Sequence, residues 1–290
     1  MTQTADATVP AVRMVQAASL PAGWERAVVE CWEHGEPFRT EYDKPGDPPS
    51  RDTCMMICVT DPFAEPRIHR AFPGGLEELE MYRQEIIHGV HDHWIDPAAG
   101  KWEYTYHERL FRYDVPSVGI IDQIAAVVEK LGEAPHSRRA QAVTWQAWHD
   151  VGIDDPACLQ RMWFRVLDDR LILQVHMRSN DAFKAAFMNM YAFTDLQRVL
   201  AGRLSERLGR PIIPGRYVHV ADSFHIYGSY VGEFEGFLRT LKARAWADRV
   251  WSTEFAIPMF AEGLRRLLAE PDLPADKRAL VEADLQAIEA

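Results

Sequence analysis

The sequence predicts a single domain of the α+β class, and three observations support that prediction. Short, nearly continuous apolar runs, which are typical of buried strands, are interspersed with segments whose apolar residues recur at helical spacing. The 290 residues contain no internal repeat and no clear linker. The composition, at 47% hydrophobic and 26% charged residues, is ordinary for a globular chain long enough to bury a substantial core.

The first elements can be assigned in chain order. Residues 1–19 are small and polar, which predicts a flexible N-terminal arm ahead of a domain over 20–290. A helix is predicted over 21–34, where apolar residues fall on one face. Residues 41–52 are rich in turn formers and predict a loop, and the run TCMMICVT over 53–60 predicts a buried strand.

The remaining elements follow the same two patterns. Helical spacing of apolar residues predicts further helices, and apolar runs bounded by turn residues predict further strands. The turn at 168–170 predicts a hairpin. The helices are expected over 76–94, 120–131, 181–208, 231–247 and in the last 40 residues, and the strands over 141–148, 161–177 as a pair, and 216–221.

Charge and cysteine content restrict the class of function. The formal net charge of −11 argues against binding to a nucleic-acid backbone, although a few local arginines suffice to hold one phosphate. The four cysteines show no C-x-x-C pairing, residues 1–19 lack the pattern of a secretion signal, and no run of about 18 apolar residues could span a bilayer. The sequence therefore predicts a soluble cytoplasmic protein with no nucleic-acid or membrane partner.

Three segments are chemically unusual for their positions: Arg138-Arg139 after a helix, Cys158 at the entry to a strand, and Arg178-Ser179 at a strand-to-helix junction. Separately they fit a surface charge pair, a buried apolar cysteine and a helix cap. Together they fit a phosphate site, because arginine forks and a hydroxyl bind phosphate. An arginine near Cys158 would also favour its thiolate, which predicts a nucleophile with a lowered pKa.

Several phrases in order give the sequence a resemblance to the thymidylate synthase superfamily, and within it to the phage deoxycytidylate hydroxymethylases. The resemblance covers about residues 40–240. It is carried by ELEMY (78–82), YTYHERLF (104–111), HSRRAQAVTW (136–145), DPAC (155–158), MRSNDAF (177–183), MNMYAF (188–193) and FHIYGSY (224–230).

This resemblance implies the fold, the partners and the site residues. The expected fold is a thymidylate synthase-like single domain, a mixed β-sheet with packed helices, with the sheet at a homodimer interface and extra helices at the C-terminus. The expected partners are a pyrimidine nucleoside monophosphate and 5,10-methylenetetrahydrofolate, with no metal. The implied catalytic residues are Cys158, Glu78, Asn189 and Tyr106; the substrate-binding residues are Lys44, Arg178, Ser179, Asn180, His225, Tyr227 and, from the partner subunit, Arg138 and Arg139; and Asp181 faces the folate.

In the roles that the resemblance implies, Cys158 adds to carbon 6 of the pyrimidine, Glu78 organises water and proton transfer, and Asn189 reads the base edge. His225 and Tyr227 hold the sugar hydroxyl. The remaining substrate-binding residues hold the phosphate, except Asn180, which belongs to the hydroxymethylase-like phrase MRSND.

Three departures from the family pattern bear on the reaction. Leu159 follows the cysteine where synthases usually carry histidine, and Asn189 is the amide of uracil-reading synthases, where the phage deoxycytidylate enzymes carry aspartate. The usual C-terminal closing peptide is not recognisable, which favours access of water to the site. The sequence thus predicts hydroxymethylation of CMP or dCMP, with hydroxymethylation or methylation of dUMP as the alternatives.

Two hypotheses from other classes remain open. The cluster of His88, His91, Asp92 and His93 could bind zinc or iron in a metal-dependent enzyme, although no complete metal motif is present. A non-catalytic nucleotide-binding protein would keep the arginines and Ser179 but would have no use for a reactive cysteine.

Overall fold

The computed structural model describes residues 12–40 and 43–290. The helices are α1 (Leu20–His34), α2 (Leu76–His88), α3 (Tyr106–Phe111), α4 (Gln123–Glu133), α5 (Ala186–Leu208), α6 (Val231–Ala243), α7 (Thr253–Ala269) and α8 (Ala275–Glu289). The strands are β1 (Val12–Ala17), β2 (Glu36–Phe38), β3 (Ser50–Val59), β4 (Ile68–His69), β5 (Tyr113–Val115), β6 (Gly119–Ile121), β7 (Gln141–Val143), β8 (Leu159–Leu167), β9 (Arg170–Asp181), β10 (Ile213–Ile226) and β11 (Val250–Trp251).

The principal sheet is mixed, with the strand order β1-β3-β10-β9-β8-β7 and with β2 paired to β3. Strands β9 and β10 are parallel neighbours, so their carboxyl ends lie at the same edge of the sheet. The register places Ser223 beside Ser179 and His225 beside Asp181. Because β8 runs antiparallel to β9, the residue that precedes β8 also reaches this edge.

The core lies between one face of the sheet and the helices α1, α4 and α5. Alternation along β3 buries Met55, Ile57 and Val59 on the helix side and leaves Met56 exposed on the other, as the two-residue period of a strand requires. On α1, the buried Trp24 donates its indole N–H to the carbonyl of Ala182, which ties this helix to the end of β9. The helices therefore cover one face of the sheet.

The C-terminal helices form a second apolar cluster on the outer side of α2. Val90, Leu264, Leu267, Leu273 and Val281 are buried together there. Burial of this kind contributes about 1.5–3 kcal/mol for each fully buried large aliphatic side chain. Helices α7 and α8 thus support α2, which reaches the edge of the sheet on its other side.

The predicted α+β class, a mixed sheet with packed helices, is confirmed. The predicted N-terminal arm is wrong for residues 12–17, which form β1 and pair in parallel with β3; residues 1–11 of that arm lie outside the described residues. The helix expected over 76–94 ends at His88, because Gly89 adopts the left-handed conformation (φ 64°) that terminates helices. Residues 120 and 121, expected to begin a helix, belong to β6 instead.

None of the helices in the described part of the chain is long and apolar enough to cross a lipid bilayer.

Candidate active site

A cavity of about 370 Å³ opens at the edge of the sheet where β9 and β10 end and α5 begins. Its wall combines apolar side chains, among them Met177 and Met188, with hydroxyl, amide and imidazole groups. A mostly apolar pocket with a few convergent polar groups is the usual form of a small-molecule site. Eight residues predicted from the sequence line it: Tyr106, Cys158, Ser179, Asn180, Asp181, Asn189, His225 and Tyr227.

Hydrogen bonds fix the segment that carries Cys158 from two sides. The backbone N–H of Leu159 donates to the hydroxyl of Tyr106 at 3.3 Å, and the backbone N–H of Arg178 donates to the carbonyl of Cys158 at 2.8 Å. The neighbouring side chains of Ala157 and Leu159 are fully buried. Cys158 itself is only partly buried, so its thiol faces the cavity from a rigid support.

Arg178 holds the loop before the cysteine. Its guanidinium donates to the carbonyls of Ala157 at 3.1 Å and Pro156 at 2.6 Å. The same side chain lines an adjoining cavity of about 270 Å³, together with Ser179 and Cys158. The arginine therefore positions the cysteine, a role that the sequence did not indicate.

The sequence-based argument about the thiol pKa is wrong for the free protomer. Burial raises the pKa of Cys158 above its usual value; the charge of Arg178 opposes this effect, and that of Asp155 adds to it. Loss of hydration disfavours the thiolate more than one arginine, already engaged with carbonyl groups, favours it. The isolated cavity thus holds a neutral thiol.

Two amides in the cavity are oriented by buried partners. Asn189, on α5, accepts at Oδ1 from the hydroxyl of Tyr82 at 2.5 Å. Asn180 is hydrogen bonded at Oδ1 to Nε2 of His219 at 2.8 Å, and Nδ1 of His219 pairs with the hydroxyl of Tyr217 at 2.8 Å. Burial lowers the pKa of His219 to about 3, so its ring is neutral and carries one N–H. Because the buried Tyr217 hydroxyl must donate, that N–H is on Nε2 and points to Asn180.

His225 is also neutral and has a defined tautomer. The hydroxyl of Ser223 lies 3.1 Å from both carboxylate oxygens of Asp52, to which it donates, and 3.1 Å from Nδ1 of His225. Since its one proton is used, Ser223 accepts from Nδ1–H of the histidine. Burial lowers the pKa of His225 to about 4, which leaves Nε2 as an acceptor for a hydroxyl group.

Asp181 ends β9 and begins the turn into α5. Its Oδ1 accepts from the backbone N–H groups of Phe183 at 3.0 Å and Lys184 at 2.8 Å. Burial raises the pKa of this carboxyl, against the lowering effect of those bonds. The residue therefore shapes the cavity floor in addition to lining it.

Glu78 and Lys44 line neither this cavity nor the adjoining one. Glu78 is exposed in the first turn of α2, and its carboxylate lies against Gly75 at the helix N-terminus, where a negative charge is favourable. Glu78 therefore does not line the cavity of the free protomer, and its role in proton transfer stays a prediction. Lys44 is exposed in the loop before β3; from the described part of this segment, Phe38 and Thr40 reach the adjoining cavity instead.

Arg138 and Arg139 lie outside the cavity of their own protomer. Both are exposed at the start of β7, at the edge of the sheet. The carbonyl of Arg138 accepts from the indole N–H of Trp163 at 2.9 Å, which fixes the backbone and leaves the side chain accessible.

Sequence reasoning missed Tyr82 and Lys184, which both line the cavity. Tyr82 is the last residue of the ELEMY phrase, one helical turn after Glu78, and the phrase could have indicated either position. Lys184 extends over the ring of Tyr230 and pairs with Glu233 at 3.0 Å.

The histidines considered as metal ligands have separate partners. His88 pairs with Asp284, His91 with Glu85, and Asp92 with His107. No group of three or more potential ligands close enough to hold a metal ion occurs within residues 12–40 and 43–290.

Comparison with known proteins identifies relatives of this chain. The family described as “Thymidylate synthase” matches residues 76–246. A “Putative thymidylate synthase” of Methanosarcina acetivorans is 30% identical over 215 residues, which cover 74% of this chain and 89% of that protein. The protein with the same description from Methanocaldococcus jannaschii is 27% identical over 218 residues, covering 73% of this chain and 90% of that protein.

The fold is also that of a solved structure. The thermostable thymidylate synthase A from Bacillus subtilis superimposes with a TM-score of 0.57 at 17% identity, covering 76% of this chain and 84% of the other. Helices α7 and α8 lie beyond the segment matched by the family.

Proposed function

The chain belongs to the thymidylate synthase family, and we propose that it transfers a one-carbon unit to carbon 5 of the pyrimidine ring of a nucleoside 5′-monophosphate. The observation that carries this proposal is the cavity that joins Cys158 to Ser179, Asn189 and His225. These groups supply a nucleophile, a hydroxyl, an amide and a neutral imidazole acceptor around one space.

Cys158 acts as the nucleophile. Its sulfur bonds to carbon 6 of the ring, the double bond between carbons 5 and 6 opens, and carbon 5 becomes nucleophilic. Because the pKa of the thiol is raised in the free protomer, further positive charge is needed to favour the thiolate. Arg138 and Arg139 of the partner subunit supply that charge and, with Arg178, Ser179 and Lys44, bind the 5′-phosphate.

The other polar groups of the cavity hold the nucleoside. Asn189 faces the base edge, and His225 and Tyr227 contact the sugar, with Nε2 of His225 accepting from a hydroxyl group. The hydroxyls of Tyr82 and Tyr106 stay protonated, because burial raises the pKa of both phenols well above its usual value. Neither phenol therefore removes a proton from the substrate, and the hydroxyl of Tyr82 donates its one proton to Asn189.

A second cavity of about 490 Å³ adjoins the first and shares Tyr82 and Tyr106 with it. The aromatic rings of Trp102 and Tyr104 in its wall offer flat surfaces suited to a pterin or aminobenzoyl ring, and Asp181 borders the first cavity. These residues fit methylenetetrahydrofolate as the cofactor. When bound, it supplies the one-carbon unit.

The proposed product is the 5-hydroxymethyl nucleotide, with CMP or dCMP as the substrate. Formation of a hydroxymethyl group requires water at the reacting carbon. No described residue beyond Tyr227 lines any of the three cavities around Cys158, since α7 and α8 pack on the outer side of α2. The packing of α7 and α8 away from these cavities supports access of water.

Methylation of dUMP, or its hydroxymethylation, is the second candidate. It is favoured by the descriptions of the archaeal relatives as thymidylate synthases and by the amide at Asn189.

One experiment separates these reactions. The protein is incubated with labelled methylenetetrahydrofolate and each of CMP, dCMP, UMP and dUMP, and the product is identified by mass. We expect a hydroxymethyl product from a cytosine nucleotide. A methyl product from dUMP alone would establish the second candidate.

A variant tests the nucleophile and distinguishes an enzyme from a nucleotide-binding protein. Cys158→Ser should abolish turnover and the covalent adduct with a 5-fluoropyrimidine nucleotide, while nucleotide binding persists. The matched control is Cys54→Ser, at a cysteine on the sheet face opposite the helices. Full turnover in Cys158→Ser would remove the proposed nucleophile.

A further inference from the structure

A separate cavity of about 400 Å³, here called the C-terminal cavity, is lined by residues of α2, α5, α7, α8 and the segment before β4. On α5, Tyr191 lines this cavity, while Asn189, two positions earlier, lines the active-site cavity. The two cavities therefore lie on different faces of the same helix. Helices α7 and α8 are outside the segment 76–246 that the family matches, and the volume is in the range of small-molecule sites.

Arg67 is buried in the wall of this cavity with one nitrogen unused. It is 4% exposed; Nε donates to the carbonyl of Pro62 at 3.1 Å, and Nη2 donates to the hydroxyl of Thr194 at 2.9 Å and pairs with Asp195 at 2.8 Å. Although burial lowers the pKa of Arg67, Asp195 raises it more, so the guanidinium stays charged. Within the described residues Nη1 makes no hydrogen bond, yet protein atoms do not enclose it. That nitrogen is available to a ligand.

Two more arginines of the C-terminal cavity have the same kind of spare donor. Arg83 uses Nε and Nη2 on Glu80 and Nη2 also on Asp284, and Arg198 uses Nη2 on Asp195. In the described part of the chain, neither forms a hydrogen bond through Nη1. The carboxylates of Glu80 and Asp195 are ion-paired at both oxygens. The cavity therefore offers N–H donors, and its ligand must supply the acceptors.

Charge balance limits the charge of that ligand. Each of the three arginines already has a carboxylate partner, and Glu65, which accepts from the backbone N–H of Thr253 at 3.1 Å, adds another negative charge to the wall. These carboxylates would repel a dianion such as phosphate more strongly than a monoanion. A carboxylate carries a single charge, and its two oxygens match the planar guanidinium fork.

The rest of the wall is suited to a flat apolar group. Phe63, Tyr191 and Phe260 bring aromatic rings to the cavity, and Ile257 and Ile288 add aliphatic surface. Rings of this kind pack favourably on an aromatic ligand. The wall therefore favours an aromatic body attached to the acid group.

We propose that the C-terminal cavity binds a small aromatic carboxylate, whose acid group accepts hydrogen bonds from Arg67, Arg83 and Arg198 and whose ring packs on Phe63 and Phe260. This site is distinct from the one that contains Cys158. Its ligand contacts α2 and α5 on the faces that point away from the active-site cavity.

The first test uses 2-naphthoate as the probe and 2-naphthylmethanol as its neutral analogue. Isothermal titration calorimetry of the full chain measures both dissociation constants. We expect the carboxylate to bind at least about tenfold more tightly than the alcohol, because hydrogen bonds to an ionised acceptor are about twice as strong as neutral ones. Inorganic phosphate should bind more weakly than 2-naphthoate.

Variants then locate the probe. Ala287 is exposed on α8 and lines the cavity, so Ala287→Trp fills the space without touching the ion pairs and should weaken 2-naphthoate binding at least about tenfold. Ala279→Trp, at an exposed alanine of the same helix outside the cavity, is the matched control and should stay within about twofold of wild type.

A charge variant tests the arginines separately. Arg198→Gln should weaken binding of 2-naphthoate and leave binding of 2-naphthylmethanol unchanged, since Asp195 keeps its pairing with Arg67. Arg203→Gln, at an exposed arginine of α5 outside the cavity, is its control.

Two outcomes overturn the proposal. One is a wild type that binds the carboxylate no more tightly than the alcohol, and the other is unchanged 2-naphthoate affinity in Ala287→Trp. The measurement needs no nucleotide, so its result is independent of the reaction proposed for Cys158.

Discussion

At the residue scale, Cys158 shows how two opposing effects decide whether a thiol is reactive. Arg178 lies close enough to favour the thiolate, yet burial outweighs it and the thiol pKa rises. The guanidinium is also committed to the carbonyls of Pro156 and Ala157. Cys158, the proposed nucleophile, is therefore a neutral thiol in the free protomer.

The pH dependence of alkylation tests this account. A neutral alkylating reagent reacts with the thiolate, so its rate follows the fraction ionised. Because burial raises the pKa of Cys158, alkylation of the free protein should be slower at pH 7–8 than that of an unstructured cysteine peptide, whose pKa is about 8.5. The alkylation rate of Cys158 should still be increasing above pH 8. Peptide mass spectrometry after timed iodoacetamide treatment measures the rate at this residue.

Alkylation of Cys158 at neutral pH faster than that of the peptide would contradict the raised pKa. The Cys158→Ser variant is the control, since it shows how much of the total signal comes from the other three cysteines.

Much of the candidate site could be predicted from the sequence. The predictions that the structure does not support have physical reasons. Cys158 immediately precedes β8, Asn189 lies on α5 and His225 on β10, and in-order phrases sufficed to group them. The sequence could not show that Glu78 lies outside the cavity, because a motif on a helix does not reveal which turn reaches the cavity. The thiol pKa was misjudged because a sequence shows the arginine but not the burial.

At the element scale, β10 contains two buried histidines that make different contacts. His219 lies in a chain of hydrogen bonds between Tyr217 and Asn180, and His225 borders the cavity beside Ser223. Burial lowers the pKa of His219 to about 3 and that of His225 to about 4. The strand thus places two neutral imidazoles where a charged one would be costly.

This arrangement predicts a loss of stability in mild acid. In the unfolded chain a histidine takes up a proton near pH 6.5, while His219 in the folded state does not do so until about pH 3. Between those values the unfolded state binds more protons at this residue. The stability that the neutral His219 contributes is therefore greatest above pH 6.5 and decreases as the pH falls. For His219 the loss between pH 6.5 and pH 5 should be about 2 kcal/mol.

The free energy of unfolding of wild type and of His219→Gln is measured with denaturant at pH 6.5 and pH 5. The contribution of His219 is the difference between the two proteins in the slope of that free energy against pH. Other groups titrate in the same range, among them Glu108, whose pKa burial raises to about 7, and the comparison cancels their effect. His136→Gln, at an exposed position, should keep the wild-type slope. Equal slopes in wild type and His219→Gln would contradict the prediction.

Secondary structure was predicted correctly where the sequence pattern was strong. The prediction failed where pairing with a neighbouring strand determined the structure. The hairpin of β8 and β9, with Asp168 and Asp169 at positive φ in its turn, follows from the sequence. Strand β1 was missed because residues 12–17 are strand-like only in partnership with β3. The extent of β10 was underestimated, since its two neighbours fix its length.

At the scale of the whole molecule, the sheet face opposite the helices carries an apolar patch. Met14 and Met56 are 64% and 40% exposed, and they are register partners on β1 and β3, with Val220 of β10 on the other side of Met56. An exposed apolar patch on a sheet indicates an interface. A second copy of this chain, packed face to face, would cover it with the same patch.

A charge in this patch should separate the subunits. Met56→Glu places a carboxylate where two apolar faces would meet, so we expect a monomer at micromolar concentration where wild type is a dimer. Sedimentation velocity measures the change. Val151→Glu, at a residue 75% exposed outside the patch, is the control and should remain dimeric. A dimer of unchanged affinity in Met56→Glu would move the interface elsewhere.

The dimer has a catalytic consequence if Arg138 and Arg139 serve the partner's cavity. Both side chains are exposed at the sheet edge and outside their own cavity, so a protomer alone would lack the charge that its phosphate site and thiol need. Two inactive variants should therefore complement each other. One is Cys158→Ser, and the other is the double variant Arg138→Ala, Arg139→Ala.

In a mixed dimer of these two variants, one site receives an intact cysteine from one chain and intact arginines from the other. Random exchange of equal amounts produces mixed dimers as half of the total, each with one complete site, so about a quarter of wild-type activity should return. Each variant alone should be inactive. If the arginines served their own subunit, every site in the mixed dimer would lack one component, and no activity would return. Turnover before and after subunit exchange thus determines whether the active site is built by one chain or by two.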